Sequence, residues 1–179
     1  YECTYGTYVR MEYQKTFDAI LATPILFEEV IMGELLWGTT KSLIYGTIIL
    51  IVMLFFGLVN NFEVLFLFFY LIFCGLIFSS LSLIATALVP GIESFNYFYT
   101  LFLTPLFLFS GIFFPLEEMP SLLKGVSQFN PLFHLVSISR TLFYVGINEF
   151  VLTETLYLLI FLFLLMPLPF LLLKRRYLL

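Results

Sequence analysis

Residues 64–89 form an uninterrupted run that contains no charged side chain. The run exceeds the roughly 20 apolar residues that an α-helix needs to cross the hydrocarbon core of a bilayer. A helix suits that environment because it bonds all its own backbone N–H and C=O groups. The whole chain is 61% hydrophobic and 11% charged, with a mean hydropathy of +1.06, which is more apolar surface than a water-soluble domain buries. The sequence therefore predicts an all-α integral membrane protein.

Three further segments have the length and composition of membrane spans. Lys41 opens the first of them, and Lys174 follows directly after the last. The segment between residues 95 and 114 contains Pro105, so we expect a kink or an unwound turn there. The chain is thus predicted to be a polytopic helical bundle with four complete spans, at residues 41–59, 64–89, 95–114 and 155–173.

The first 37 residues are more polar than the rest of the chain. Residues 1–8 are aromatic and hydroxyl-rich, which is typical of the end of a preceding span. Because the chain starts with Tyr1, we expect it to be a piece of a longer protein. Residues 16–22 are predicted to form a short helix that ends at Pro24, and residues 27–37 an interfacial helix that leads into the membrane. The expected domains are a cytoplasmic segment, 1–37, and a transmembrane domain, 38–179.

Residues 115–146 interrupt the apolar pattern with prolines and charged residues. We predict a short helix at 120–129 and an amphipathic helix at 132–145. Placing Arg140 at the bilayer centre would cost about 2.5–3.5 kcal/mol, so this stretch should not span. The residues alone favour an external loop with a helix lying on the membrane over a re-entrant helical hairpin. The predicted apolar face holds Leu132, Leu135, Val136, Leu142 and Phe143, and the polar face His134, Ser137, Arg140 and Thr141.

The basic residues are distributed unequally between the two sides that four spans would define. Cytoplasmic loops of membrane proteins carry an excess of Lys and Arg. We therefore expect both ends of this chain in the cytoplasm and residues 115–154 outside. The cytoplasmic side would hold Arg10, Lys15, Lys41, Lys174, Arg175 and Arg176, and the outer side only Lys124 and Arg140.

Residues that could do chemistry are few, which argues against several classes of function. The sequence has no GxxxxGK[ST] phosphate-binding loop, so ATP hydrolysis is not expected on this chain. The lone His134 on a polar helix face is interpreted as a surface residue, and no metal site or catalytic residue is predicted. The predicted spans lack the carboxylates and histidines that ion-coupled transporters and proton pumps keep at membrane depth. No nucleic-acid partner is expected.

Two stretches of the chain resemble the permeases of type-2 ABC exporters. They are TFDAILATPI, followed by an acidic helix, and FSGIFFPLEEMPSLLKGVSQFNPLFHLVSISR, ahead of the last span. The resemblance covers essentially the whole chain. Within this family, the chain resembles most the nodulation-protein-J group, which is associated with lipo-oligosaccharide export. The second stretch is the more specific one. Its motif positions are Gly111, Phe114, Pro115, Pro120, Asn130, Pro131 and Arg140.

The resemblance implies a permease made of two six-span copies, each with a separate ATP-binding cassette ATPase beneath it. ATP and Mg²⁺ would bind on that partner, and no cofactor is expected on this chain. The short helix at residues 16–22 would be the coupling helix that docks in a groove of the ATPase, with Phe17, Ile20 and Leu21 supplying apolar surface. The resemblance also favours the re-entrant reading of residues 115–146. The coupling residues would be Lys15, Thr16, Phe17, Asp18, Ala19, Ile20, Leu21, Ala22, Thr23 and Pro24.

The function implied by the resemblance is export across the bacterial inner membrane by a subunit that is not itself an enzyme. The substrate would be an amphiphile that bears a saccharide, of the lipo-oligosaccharide or polysaccharide class, and no substrate-binding residue is assigned. One alternative is a permease for drugs or other small amphiphiles. An alternative of another class is a membrane scaffold or assembly protein without transport. A channel ranks last, because only residues 79–86 bring small polar side chains into a span.

Overall fold

The structure is a computed structural model, and it describes residues 2–59, 62–113, 125 and 127–178. Every regular element among these residues is helical. The α-helices are α1 (Thr16–Leu21), α2 (Phe27–Phe55), α3 (Leu67–Leu88), α4 (Phe95–Tyr97), α5 (Thr104–Leu108), α6 (Pro131–Tyr144), α7 (Glu149–Leu165) and α8 (Pro167–Leu178). The π and 3-10 turns are Glu2–Gly6, Val9–Tyr13, Phe62–Phe66, Ile92–Ser94 and Phe98–Leu103.

Within the described ranges, three helical runs are long and apolar enough to cross a membrane. They are Phe27–Phe55, Phe62–Leu88 and Glu149–Tyr177. They cover most of the predicted first and second spans and the whole of the predicted fourth span. The all-helical membrane class that the charge-free runs predicted is therefore confirmed.

Helix α2 is longer than the sequence suggested. An interfacial helix at 27–37 and a span at 41–59 were expected as separate elements, whereas the structure has one unbroken helix. The residues between them do not end a helix. Gly38 is followed by Thr39 and Thr40, whose hydroxyls donate to the carbonyls four residues earlier, each at 2.8 Å. The expected domain boundary after residue 37 thus falls inside a single helix.

The segment predicted as the third span is helical but irregular. From Ile92 to Leu108 it consists of four short pieces, including the π-helical turn Phe98–Leu103. The N–H of Thr104 bonds to the carbonyl of Tyr99, five residues earlier, just before Pro105, which has no N–H to donate. The irregular bonding expected around this proline is present, while the angle of the axis there stays a prediction.

Helices α2 and α3 approach each other closely through small side chains. A methyl group added at Gly75 of α3 would lie 2.7 Å from Cα of Thr39 in α2. One added at Gly38 would collide with Ser79, and one at Gly46 with Leu71. In lipid, small residues let two backbones pack tightly, because van der Waals contact rather than the hydrophobic effect holds helices together.

The buried side chains form clusters at opposite ends of this bundle. At one end, here called the α1 end, the chain's first turns and α1 pack on α2, α3 and α8. At the other, the α6 end, α6 packs on α3 and α7. The α1-end cluster comprises Cys3, Met11, Phe17, Phe27, Val30, Ile31, Leu35, Leu83 and Leu173. The α6-end cluster comprises Val64, Leu67, Ile77, Leu135, Ile138, Leu142, Val151 and Leu158.

Candidate functional site

Helix α1 is a short surface helix whose two ends are sharp turns. Lys15, which precedes it, has a left-handed backbone conformation with φ of 53°, so the chain changes direction there. After the helix, the hydroxyl of Thr23 donates to the carbonyl of Ile20 at 2.5 Å, and Pro24 follows. A helix this short is not stable alone in water. Its conformation depends on what it packs against.

The inner face of α1 is anchored by Phe17, whose side chain is 1% exposed. Its ring lies 6.3 Å from that of Tyr177 in α8, and Tyr177 stacks at 5.2 Å on Phe27 of α2. The expectation that Phe17 offers apolar surface to a partner is therefore wrong. Phe17 is the contact through which α1 is attached to two long helices.

Only some of the remaining predicted coupling residues lie on the outer face of α1. Asp18 is exposed and accepts a hydrogen bond from the hydroxyl of Tyr177. Ile20 and Leu21 are partly buried against the α1-end cluster, so they too face inward in part. The exposed positions that remain for a partner are Lys15, Asp18, Ala19, Ala22, Thr23 and Pro24, and the exposed surface continues into Ile25 and Leu26.

A network of charged groups ties the first turns of the chain to α2. Arg10 donates twice to Glu34, from Nε to Oε1 at 3.0 Å and from Nη2 to Oε2 at 2.6 Å. The hydroxyl of Thr7 donates to the same carboxylate at 2.8 Å. Bidentate pairs of this kind fix orientation as well as adding energy. Lys41 pairs in addition with Glu2 at 2.6 Å.

The C-terminal helix is held at the same end by Arg176. Its Nη1 donates to the carbonyls of Thr86 at 2.6 Å and Val89 at 2.5 Å, which the end of α3 leaves without helical partners. The guanidinium also lies over the ring of Tyr8, 5.2 Å from its centroid. The first and last described turns of the chain therefore meet at the α1 end.

Elsewhere in the bundle, four of the motif residues belong to α6 and its cap or bond to them. Asn130 caps this helix by accepting from the N–H of Leu132 at 3.0 Å, and Pro131 is its first residue. The amide nitrogen of Asn130 donates to the carbonyl of Leu106 at 2.6 Å. Arg140 donates to the carbonyl of Gly111 at 2.8 Å. The motif thus joins α6 to the end of α5, while Phe114, Pro115 and Pro120 lie outside the described residues.

Gly111 is required by this joint for a conformational reason. Its φ is +80°, a left-handed conformation that other residues adopt only at a cost. Carbonyl oxygens at the end of a helix otherwise lack partners. The turn after α5 therefore depends on a glycine for its shape and on Arg140 and Asn130 for its hydrogen bonds.

Helix α6 runs from the middle of the bundle towards its end. Its first residue, Pro131, borders a cavity of about 360 Å3 that is also lined by Leu81 and Phe161, both well inside long helices. Beyond its last turn, the N–H of Ile147 donates to the carboxylate of Glu63, which lies just before α3. The expected helix at 132–145 is present, whereas six of the ten residues of its expected partner at 120–129 lie outside the described residues.

The buried face of α6 differs from the predicted one, and His134 shows why. His134 is 7% exposed, pairs with Glu154 of α7 and stacks on Tyr157 at 3.8 Å between ring centroids. The interpretation of His134 as a surface residue is therefore wrong. Because residue 134 is polar, the pattern of apolar residues did not indicate that this position is buried. The buried positions are Pro131, His134, Leu135, Ile138 and Leu142, which follow helical spacing.

Comparison with known proteins assigns the family. A model described as "ABC-2 type transporter" matches residues 2–144. The chain belongs to the ABC-2 type transporter family. The resemblance that the two sequence stretches indicated is thereby confirmed. No solved structure matches the chain.

The similar curated proteins are bacterial. Nodulation protein J of Sinorhizobium fredii is 34% identical over 140 residues, which cover 78% of this chain and 53% of that protein. Nodulation protein J of Rhizobium meliloti is 35% identical over the same shares. Inner membrane transport permease YadH of Escherichia coli is 26% identical over 144 residues, 80% of this chain and 56% of that protein. The chain spans about half the length of the curated relatives it matches.

Proposed function

We propose that the chain is part of the membrane subunit of an ABC exporter in the bacterial inner membrane. Its cargo would be an amphiphile that bears a saccharide, of the lipo-oligosaccharide or polysaccharide class. The names of the similar proteins, nodulation protein J and inner membrane transport permease, support this assignment. ATP hydrolysis would occur on a separate ATPase subunit, and a second copy of the permease would complete the transporter.

The observation that carries the proposal is the double attachment of α1. Its outer face, with Asp18, Ala19 and Ala22, is exposed at the end of the bundle and can meet an ATPase. Its inner face holds Phe17 against Tyr177 of α8, whose ring in turn stacks on Phe27 of α2. A push on the outer face would therefore pass directly into two long helices. This is the arrangement that a coupling element needs, since it must both bind a partner and move the spans.

The α1 end also suggests how the protein is oriented in the membrane. The α1 end would face the cytoplasm, because the ATPase and ATP are there and because six of the eight basic residues would lie on that side. The α6 end would face outward. The position of Pro131 beside Leu81 and Phe161 supports a helix that enters the membrane from outside and returns. Both ends of this chain would then be cytoplasmic.

Charge reversal on the outer face of α1 tests the proposal. Asp18→Lys should leave the protein inserted, but should abolish co-purification of the ATPase and reduce export per inserted molecule at least tenfold, which corresponds to about 1.4 kcal/mol. Asp18→Asn retains an acceptor for Tyr177 and serves as the local control. Glu149→Lys reverses an exposed carboxylate at the opposite end and should retain association. If Asp18→Lys keeps both association and export, α1 is not the coupling element.

A further inference from the structure

Arg140 borders a cavity of about 410 Å3 between the end of α2 and the second half of α6. Most of the lining is apolar. Met53 and Leu58 come from the last turns of α2 and the residues after it, and Val136 and Phe143 come from α6. The cavity therefore combines apolar walls with one cationic group, which is the combination that an amphiphile with a negatively charged head requires.

The apolar wall on the α2 side is fixed by the way this helix ends. Gly57 has a φ of +67°, a left-handed conformation. The N–H of Leu58 donates to the carbonyl of Met53, and that of Gly57 donates to the carbonyl of Leu54, each at 3.0 Å. This is the Schellman motif, in which the chain folds back over the last helical turn. The two residues that it joins, Met53 and Leu58, are the two that line the cavity, so the wall is part of the fold.

Arg140 uses only part of its hydrogen-bonding capacity. A guanidinium has five N–H donors. Among the described residues, Arg140 donates to the carbonyls of Gly111 at 2.8 Å and Ile112 at 3.4 Å, and both bonds come from Nη2. No carboxylate in the part of the chain that the structure describes forms an ion pair with it. The hydrogens on Nε and Nη1 remain for an anion, and guanidinium groups bind phosphate through two such donors.

The cavity lies close to the end of a predicted membrane span. Helix α2 belongs to the runs that are long and apolar enough to cross a membrane, and it ends at Phe55, two residues after Met53. Tyr144, one turn beyond Arg140 in α6, also lines the cavity and is 85% exposed. Tyrosine is enriched where the hydrocarbon core meets the headgroups. Arg140 is therefore placed where the phosphates of a bilayer can reach it.

From this arrangement we infer that the cavity binds one anionic phospholipid. Its phosphate lies at the Arg140 guanidinium, and an acyl chain lies against Met53, Leu58 and Val136. The positive charge favours an anionic headgroup over a zwitterionic one, as in other basic pockets between transmembrane helices. The bound lipid fills the space between the end of α2 and α6. The site belongs to the fold and does not depend on which cargo the protein carries.

The test measures which lipid lies beside this cavity. Tyr144→Trp places a fluorescent ring in the lining, in a full-length protein in which Trp37 and every other tryptophan are phenylalanines. The protein is reconstituted in mixed bilayers in which either phosphatidylglycerol or phosphatidylcholine has brominated acyl chains, because bromine quenches tryptophan only at close contact. Phe55→Trp is the control reporter. Phe55 is 89% exposed near the same end of α2 but does not line the cavity.

The two quenching curves give the affinity for phosphatidylglycerol relative to phosphatidylcholine. For Tyr144→Trp the preference should be about fivefold, the contribution of one arginine beside an anionic lipid, and for Phe55→Trp it should be near one. Adding Ser139→Glu to Tyr144→Trp places a carboxylate in the lining next to Arg140 and should bring the preference down to near one. Ser139→Gln has the same size without the charge and should keep the preference. Both variants leave Arg140 in place.

Several results would overturn the proposal. One is an equal preference at the two reporters, and another is an equal loss of preference in Ser139→Glu and Ser139→Gln. Weak quenching of Tyr144→Trp by both lipids would show that another part of the protein fills the cavity. Inorganic phosphate that lowers the preference more than chloride does at the same ionic strength would show that the site holds a free anion and not a lipid.

Discussion

The two ends of the bundle differ in how accessible their ion pairs are to water. At the α1 end, charged side chains pair with one another across elements, and several remain accessible, as in the pair of Lys174 with Glu28. At the α6 end, Asn130 and Arg140 donate mainly to backbone carbonyls, and the ion pair of His134 with Glu154 is buried. Accessible pairs tolerate rearrangement, because water can replace either partner. Carbonyls inside a membrane have no such replacement. The ion pairs of the α1 end can therefore rearrange more easily than the buried contacts of the α6 end.

The largest expected effect concerns which end faces which side. Single cysteines at Thr23 and at Tyr144, both exposed, report on the α1 end and the α6 end in a protein without Cys3 and Cys74. An impermeant thiol reagent added to intact cells should label Tyr144→Cys strongly and Thr23→Cys only after the membrane is permeabilised. The opposite pattern would show that the α1 end is external, and it would remove the proposed contact with a cytoplasmic ATPase.

A smaller effect should follow from removing the ring that attaches α1. Phe17→Ala should destabilise the protein by about 3–5 kcal/mol, because the loss of a buried phenylalanine leaves a cavity. The measurement is thermal unfolding of the purified protein in detergent. Phe17→Leu fills more of the space and should lose clearly less. Phe129→Ala, at an exposed phenylalanine of the α6 end, is the matched control. Equal unfolding temperatures for Phe17→Ala and Phe129→Ala would contradict the anchoring role.

The smallest of these effects should come from the cap of α6. Asn130→Ala removes both the cap and the bond to the carbonyl of Leu106, at a cost of about 1–2 kcal/mol. Asn130→Ser retains a capping oxygen but cannot reach that carbonyl with an amide, so it should recover part of the loss. The same unfolding measurement distinguishes the two roles. If serine and alanine are equally destabilising, the bond to Leu106 accounts for the whole effect; if both are neutral, the joint contributes nothing.

The sequence predicted the features that depend on long, uniform patterns. The run at 64–89 and the basic stop after residue 173 mark helices by length and charge alone, and three of the four predicted spans fall in long apolar helices. Patterns of this kind lie within one segment of the chain. They can therefore be recognised without knowing which other residues pack against that segment. The re-entrant hairpin that the family resemblance implies after the third span stays a prediction.

The features that the sequence did not predict depend on contacts between distant residues. Phe17 is buried because Tyr177 lies over it, and nothing near residue 17 indicates that partner. His134 is buried because Glu154 supplies a carboxylate from another helix, which offsets the cost of removing a polar ring from water. A helix face assigned by polarity therefore fails wherever two polar groups satisfy each other.

The close contact of α2 with α3 limits how any motion can travel through the bundle. Ser79 packs against Gly38, and Thr39 packs against Gly75. Sliding one helix along the other would make these side chains clash with the facing backbone. Tilting both helices together meets no such obstacle. We therefore expect the two to act as a lever of fixed length. A displacement of one end of the pair would then rotate both helices as one body and displace the other end. The size of that second displacement would depend on the position of the rotation axis along the pair.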